Sequence, residues 1–165
     1  IKEGDWHDEL LLDGGFKINV TPARHFSGRS FKRNGALWAS FILTTPTKKL
    51  FLGGDSGYDA HFADIGSKYG PFDLAILENG QYNKSWKHIH MMPEEMVQAA
   101  KDLNANVLMP VHWSKFSLSL HHWSEPIDRA VEAANINGLP LLHPMIGEVT
   151  NLDNPGTQSE WWKAV

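Results

Sequence analysis

The chain has 165 residues, 42% of them hydrophobic and 21% charged, with a formal net charge of -4. That is enough apolar material for one packed domain, and the charge gives no bulk attraction to nucleic acid, which is therefore not favoured as a partner. There is no cysteine, which excludes disulfides and thiolate metal sites, and no apolar run approaches the ~20 residues of a membrane-spanning helix.

Apolar runs predict strands at 9–12, 16–21, 37–44, 49–53, 73–77, 107–112, 139–142 and 145–149. Asp13-Gly14-Gly15, Asn34-Gly35 and Thr45-Pro46 punctuate them as turns. The first four strands read as two successive hairpins, and 16–20 alternates apolar and polar residues as a half-buried antiparallel strand does. The runs at 73–77 and 107–111 are nearly continuous, which suits strands covered on both faces. A short helix is predicted over 59–68. A second, over 93–103, has Pro93 and two acids in its first turn and an apolar stripe of Met96, Val97, Ala100 and Leu103. A third, over 125–135, has Ser124 as its candidate N-cap and Gly138 as its stop. Hairpins thus come first and strand–helix–strand units follow, an α+β arrangement.

The stretch KLFLGGDSGYDAHF places Asp55 where an apolar strand gives out, with Gly53 and Gly54 before it and Gly57 after it. Strand ends in mixed α/β layers present side chains to ligand crevices. Gly53 and Gly54 are read as allowing a close approach and Gly57 as permitting a turn. The alternative is that Asp55 caps the helix that follows. His25 and His112 also follow predicted strands at turns. Each could be an ordinary structural histidine, yet imidazole and carboxylate are ligands that Zn²⁺, Mn²⁺ or Fe ions accept. His90 stands just before the helix at 93, where an imidazole can pass a proton near pH 7. Around these, Tyr82 is a candidate donor to an oxyanion. Trp113 is a candidate apolar wall, His122 a second residue of the mouth, and Arg29, with Arg24, Lys32 and Arg33, a candidate phosphate partner. Core packing and a solvated hairpin face remain the alternatives for the tryptophan and the arginines.

In order and spacing, TPARHFSGR, FLGGDSGY, KYGPFDLAIL, HMMPEEMVQA and PVHWSKF resemble the C-terminal half of the metallo-β-lactamase superfamily, over about residues 5–130. The similarity is to the branch that holds the N-acyl-phosphatidylethanolamine-hydrolysing phospholipase D and its bacterial relatives. The resemblance implies half of an αββα sandwich, one mixed sheet with helices on its outer face. It implies metal ligation by His25, Asp55 and His112, with Asp55 bridging two divalent ions, zinc first and manganese or iron as alternatives. It implies that His90 and Asp55 serve catalysis by a hydroxide the two ions share. The substrate class it implies is a small-molecule or lipid phosphodiester, with lactone hydrolysis as one alternative and a non-catalytic module that binds a partner chain as the other. The family's His-x-His-x-Asp-His motif is absent: His88-Ile89-His90 is followed by Met91-Met92. The chain is therefore expected to be the C-terminal half, residues 1–165, of a longer domain whose N-terminal half is its partner, and to be inactive alone. A homo-oligomer stays open as a partner state, and a cytoplasmic or membrane-peripheral setting is favoured.

Overall fold

The computed structural model describes residues 1–28, 34–116, 118–156 and 158–165. Six strands, β1 (Glu9–Leu11), β2 (Lys17–Pro22), β3 (Ala39–Thr44), β4 (Lys49–Leu52), β5 (Leu74–Glu78) and β6 (Leu108–Val111), form one sheet in chain order. β1 to β4 are mutually antiparallel, and β4, β5 and β6 are parallel. Between the parallel strands run α1 (His61–Tyr69) and α2 (Pro93–Asp102), and α3 (Glu125–Asn137) follows β6 and packs on α2. Parallel strands need such crossovers, because a tight turn can only reverse the chain.

The register shows how the sheet uses its two faces. Ile42, Phe51, Ala75 and Leu108 stand opposite one another across β3–β6. They share the buried core with Phe62 and Ile65 of α1, Met96, Ala99 and Ala100 of α2, and Ile127, Ala130 and Ala134 of α3. The helices therefore lie on this face. The row one residue along, Phe41, Leu52, Ile76 and Met109, is only partly covered, and Phe41 is 43% exposed.

The mixed sheet and its helices agree with the predicted class, with local corrections. The first four strands form one continuous meander, because β2 also pairs with β3 over Lys17–Thr44 to Pro22–Ala39. The run at 139–142 supplies only a bridge from Leu141 to Leu108, and 145–149 makes a turn, closed by the Glu148 N–H on the Met145 carbonyl. Pro140 and Pro144 lack the N–H that a ladder needs. α1 begins at His61, and the carboxylate at its start that accepts a backbone N–H, from Ala60 at 2.8 Å, belongs to Asp59, not Asp55. Ser124 occupies the N-cap position of α3, but its hydroxyl turns to Asp128 and caps no backbone N–H. Gly138 ends α3 in the left-handed region at φ 63°, where glycine carries no steric cost.

Burial pulls two histidines below the ordinary imidazole pKa. Desolvation is the main cause for both His61 and His143. His143 is 8% exposed and stands edge-on to Trp162. In the unfolded chain these rings would protonate at higher pH than in the fold. The unfolded state therefore gains protons first as pH falls, and stability drops from about pH 6.5 downward until the folded rings protonate too. Thermal melts across a pH 5–8 buffer series are expected to show a melting temperature that declines on acidification, with a shallower decline in His143→Gln. An equal slope in wild type and variant would contradict this assignment.

Candidate metal centre

Three strand ends and one pre-helical loop deliver four titratable side chains to one cavity of about 720 Å³. His25 lies three residues past the end of β2. Its ring stacks between Phe26 and Trp38, with centroid distances of 4.7 and 4.3 Å. Its Nδ1 is 3.0 Å from the Phe26 carbonyl oxygen. That oxygen can only accept, so Nδ1 donates and Nε2 keeps its lone pair, the arrangement a metal-ligating imidazole uses.

Asp55 follows β4 through Gly53 and Gly54. Gly54 has φ +63°, and a Cβ on Gly53 would meet the Leu77 side chain at 2.8 Å. Gly57 carries no positive φ; a Cβ there would lie 2.4 Å from the backbone carbon of His88. The predicted roles of Gly54 and Gly57 are thus exchanged: Gly54 makes the turn, and Gly57 lets the loop before α2 approach. The Asp55 carboxylate, 34% exposed, reaches to 3.5 Å from His112 Nε2, while its backbone carbonyl accepts the Trp38 indole N–H at 2.7 Å.

His112 directly follows β6 and adopts φ +67°, which a residue with a side chain rarely takes. Backbone held there is a form of stored strain that recurs at functional sites. Its peptide is packed against Gly80, where a Cβ would fall 1.5 Å from the His112 carbonyl oxygen. His90 sits between the other two imidazoles, its ring 5.4 Å from that of His25 and 5.8 Å from that of His112. Most of the remaining wall is apolar, from Phe26, Trp38, Trp86, Ile89 and Leu118, with Gln81 as its one polar side chain among the described residues.

His25, Asp55, His90 and His112 are therefore brought together, and Tyr82, Trp113 and His122 are not. The Tyr82 hydroxyl donates to Glu125 at 2.6 Å, and the Arg129 guanidinium lies 4.9 Å from its ring centre. Burial first, then the Glu125 hydrogen bond, pushes that phenol well above its ordinary range, so it is held as a neutral structural donor away from the cavity. Trp113 turns its N–H to the Pro110 carbonyl and stacks on Trp161. His122 bonds Ser124 on the surface. Arg29, Lys32 and Arg33 lie outside the described residues. Arg24 is engaged by Asp59 and His88, each at 2.7 Å, and no Lys or Arg is among the described residues that line the cavity.

Two polar residues of this region escaped the sequence reading. Gln81 lines the cavity, and its amide bonds the backbone of Phe116, Leu118 and Ser119, pinning the loop that carries Leu118. Glu78, the last residue of β5, is 1% exposed and faces His90. Its signal was present: an acid that ends an apolar run before Asn79-Gly80 is the same sign that marks Asp55.

The donor types fit a divalent ion: imidazole nitrogen, carboxylate and imidazole nitrogen. The set is partial, since among the described residues no three His, Asp or Glu side chains stand close enough to hold an ion by themselves.

A family model described as the beta-lactamase superfamily domain matches residues 1–113. The chain belongs to the metallo-β-lactamase superfamily. Among characterised and uncharacterised relatives, this superfamily chain is 40% identical to an uncharacterized protein of Mycobacterium tuberculosis over 99% of its own length and 44% of the relative's. It is 59% identical to the outer membrane protein RomA of Klebsiella pneumoniae, over 58% of this chain and 72% of that one. It is 39% identical to the N-acyl-phosphatidylethanolamine-hydrolyzing phospholipase D of Saccharomyces cerevisiae, over 84% of this chain and 31% of that one. The fold is shared with Igni18, a metallo hydrolase of Ignicoccus hospitalis, at TM-score 0.68 and 23% identity over 88% of this chain and 57% of that one. The chain thus spans less than half the length of the mycobacterial and yeast relatives. No described helix is long and apolar enough to cross a membrane.

Proposed function

We propose that this chain carries one half of a two-metal hydrolase centre that cleaves phosphodiesters bearing an apolar group. The observation that carries the reading is the convergence of His25, Asp55 and His112, ends of three separate strands, on one cavity with His90 between the imidazoles. The ions would be held by His25 through Nε2, by His112 and by the Asp55 carboxylate, which they would share. When bound, divalent ions, zinc foremost, supply an activated water and neutralise charge on the substrate. That task otherwise falls to cationic side chains, which the described cavity wall lacks. His90 would take or return a proton within the cavity. Phe26, Trp38, Trp86, Ile89 and Leu118 would exclude water and hold an acyl or aryl substituent.

The phosphodiester preference is supported by the likeness to the yeast phospholipase. The partly exposed row of Phe41, Leu52, Ile76 and Met109 supports a further polypeptide segment packing on the sheet and bringing the remaining ligands, since sheet faces of this kind are normally covered. Protein that carries both halves of the domain, loaded with Zn²⁺ or Mn²⁺, is expected to turn over a phosphodiester panel, with KM falling as the apolar group lengthens. Turnover of a lactone panel alone would move the assignment to lactone hydrolysis. No turnover and no bound metal would leave a non-catalytic half-domain that binds a partner.

A further inference from the structure

We propose that Glu78 is a positioning residue that holds His90 in one tautomer, with the proton on Nδ1 and the lone pair of Nε2 turned to the cavity. The role of His90 in hydrolysis rests on the reading above, but the tautomer claim stands on geometry alone.

Glu78 ends β5 and is fully enclosed. One carboxylate oxygen, Oε1, accepts the Met91 backbone N–H at 2.6 Å. The other, Oε2, lies 3.4 Å from His90 Nδ1. Among the described residues neither that oxygen nor that nitrogen makes a hydrogen bond, and their 3.4 Å approach is a close contact that falls short of one. Two buried polar atoms left unpaired would each carry a desolvation cost, which their pairing removes. A neutral imidazole has one donor nitrogen and one acceptor nitrogen, and a carboxylate oxygen can only accept. Pairing therefore requires the proton on Nδ1. The ring itself is fixed at its backbone by the His90 N–H on the Trp86 carbonyl, 2.9 Å, and by the Met91 contact one residue on. Nε2 is then the free acceptor on a ring that lines the cavity between His25 and His112. Histidines that ligate metals or shuttle protons are oriented in the same way, by a carboxylate on the second nitrogen.

A bland reading is that Glu78 serves only the Met91 N–H. Glu78→Gln separates the two. Its carbonyl oxygen can keep the Met91 bond, while its NH₂ group then faces His90 Nδ1 and can only donate, which forces the proton to Nε2. Protein labelled with ¹⁵N-histidine, followed by long-range ¹H–¹⁵N correlation at pH 8, reads the tautomer directly. The wild type is expected to show His90 protonated at Nδ1, Glu78→Gln to show it at Nε2, and Glu78→Asp to restore Nδ1. A wild-type His90 protonated at Nε2, or a tautomer unmoved in Glu78→Gln, would overturn the proposal. The wild-type spectrum decides the matter even if a variant folds poorly. In protein with both halves, Glu78→Gln is expected to lower kcat on the order of 10–100-fold with KM little changed. A protein without hydrolase activity would refute the functional reading and leave the tautomer result intact, so the two failures can be told apart.

Discussion

Gly80→Ala is expected to unseat the site and to be among the most destabilising single substitutions in the chain. A Cβ at this position would lie 1.5 Å from the His112 carbonyl oxygen, 2.3 Å from its carbon and 2.9 Å from the Trp113 Cα. All three are backbone atoms, so no rotamer change relieves the overlap. The loop after β5 or the loop after β6 must retreat by more than an ångström. His112, already at φ +67°, would be carried away from Asp55 and His90. Overpacking against backbone costs about 3 kcal/mol or more. For a chain of this length that is a fall in melting temperature of roughly 6–12 °C. Gly35→Ala is the matched control, with nothing within 4 Å of its Cβ and no positive φ. Thermal denaturation of the two variants tests the idea, and a Gly80→Ala melting temperature equal to that of Gly35→Ala would refute the close approach on which the site geometry depends.

The glycines also show what the sequence could and could not disclose. Gly53, Gly54, Gly57 and Gly80 can be seen in the chain, but their reasons differ: a side-chain contact, a left-handed turn and two backbone approaches. The approaches join segments 31 and 32 residues apart, Gly57 to His88 and Gly80 to His112, and no local pattern reports them. His25, Asp55 and His112 were legible because each terminates an apolar run at a turn, a position whose presentation is set locally. Trp113 and Tyr82 were misplaced because nearness in sequence stood in for direction. The chain leaves β6 through the left-handed turn at His112, φ +67°, and past it Trp113 turns away from the cavity that His112 enters. Tyr82 likewise finds Glu125 and Arg129 of α3, contacts set by how α3 packs. The 145–149 run had strand composition but sits beside prolines that cannot extend a ladder. Glu78 carried the same strand-end sign as Asp55, but its enclosure beside His90 is set by packing that no local pattern reports.

Asp55→Ala is expected to separate function from folding more cleanly than any other change in the site. The carboxylate is one-third exposed, and its contact with His112 Nε2 is 3.5 Å long. An interaction of that exposure contributes roughly 0–1 kcal/mol, so the melting temperature of the variant without metal should stay within a few degrees of wild type. Asp55 also did not turn out to cap α1, whose start is served by Asp59, so no helix is lost with it. The proposed bridge between two ions, by contrast, has no substitute among the side chains that line the cavity. In protein with both halves, bound metal should fall from two ions toward one or none, and turnover should fall on the order of 10³-fold. Asp55→Asn keeps the shape and removes the charge, and should follow Ala closely if charge on the bridging group is what holds the ions together. Metal content by elemental analysis, measured beside the melting temperature on the same preparation, distinguishes the outcomes. Loss of metal with a preserved fold supports a bridging ligand, whereas an equal loss of both would return Asp55 to a structural role, and wild-type metal content and turnover would remove it from the centre altogether.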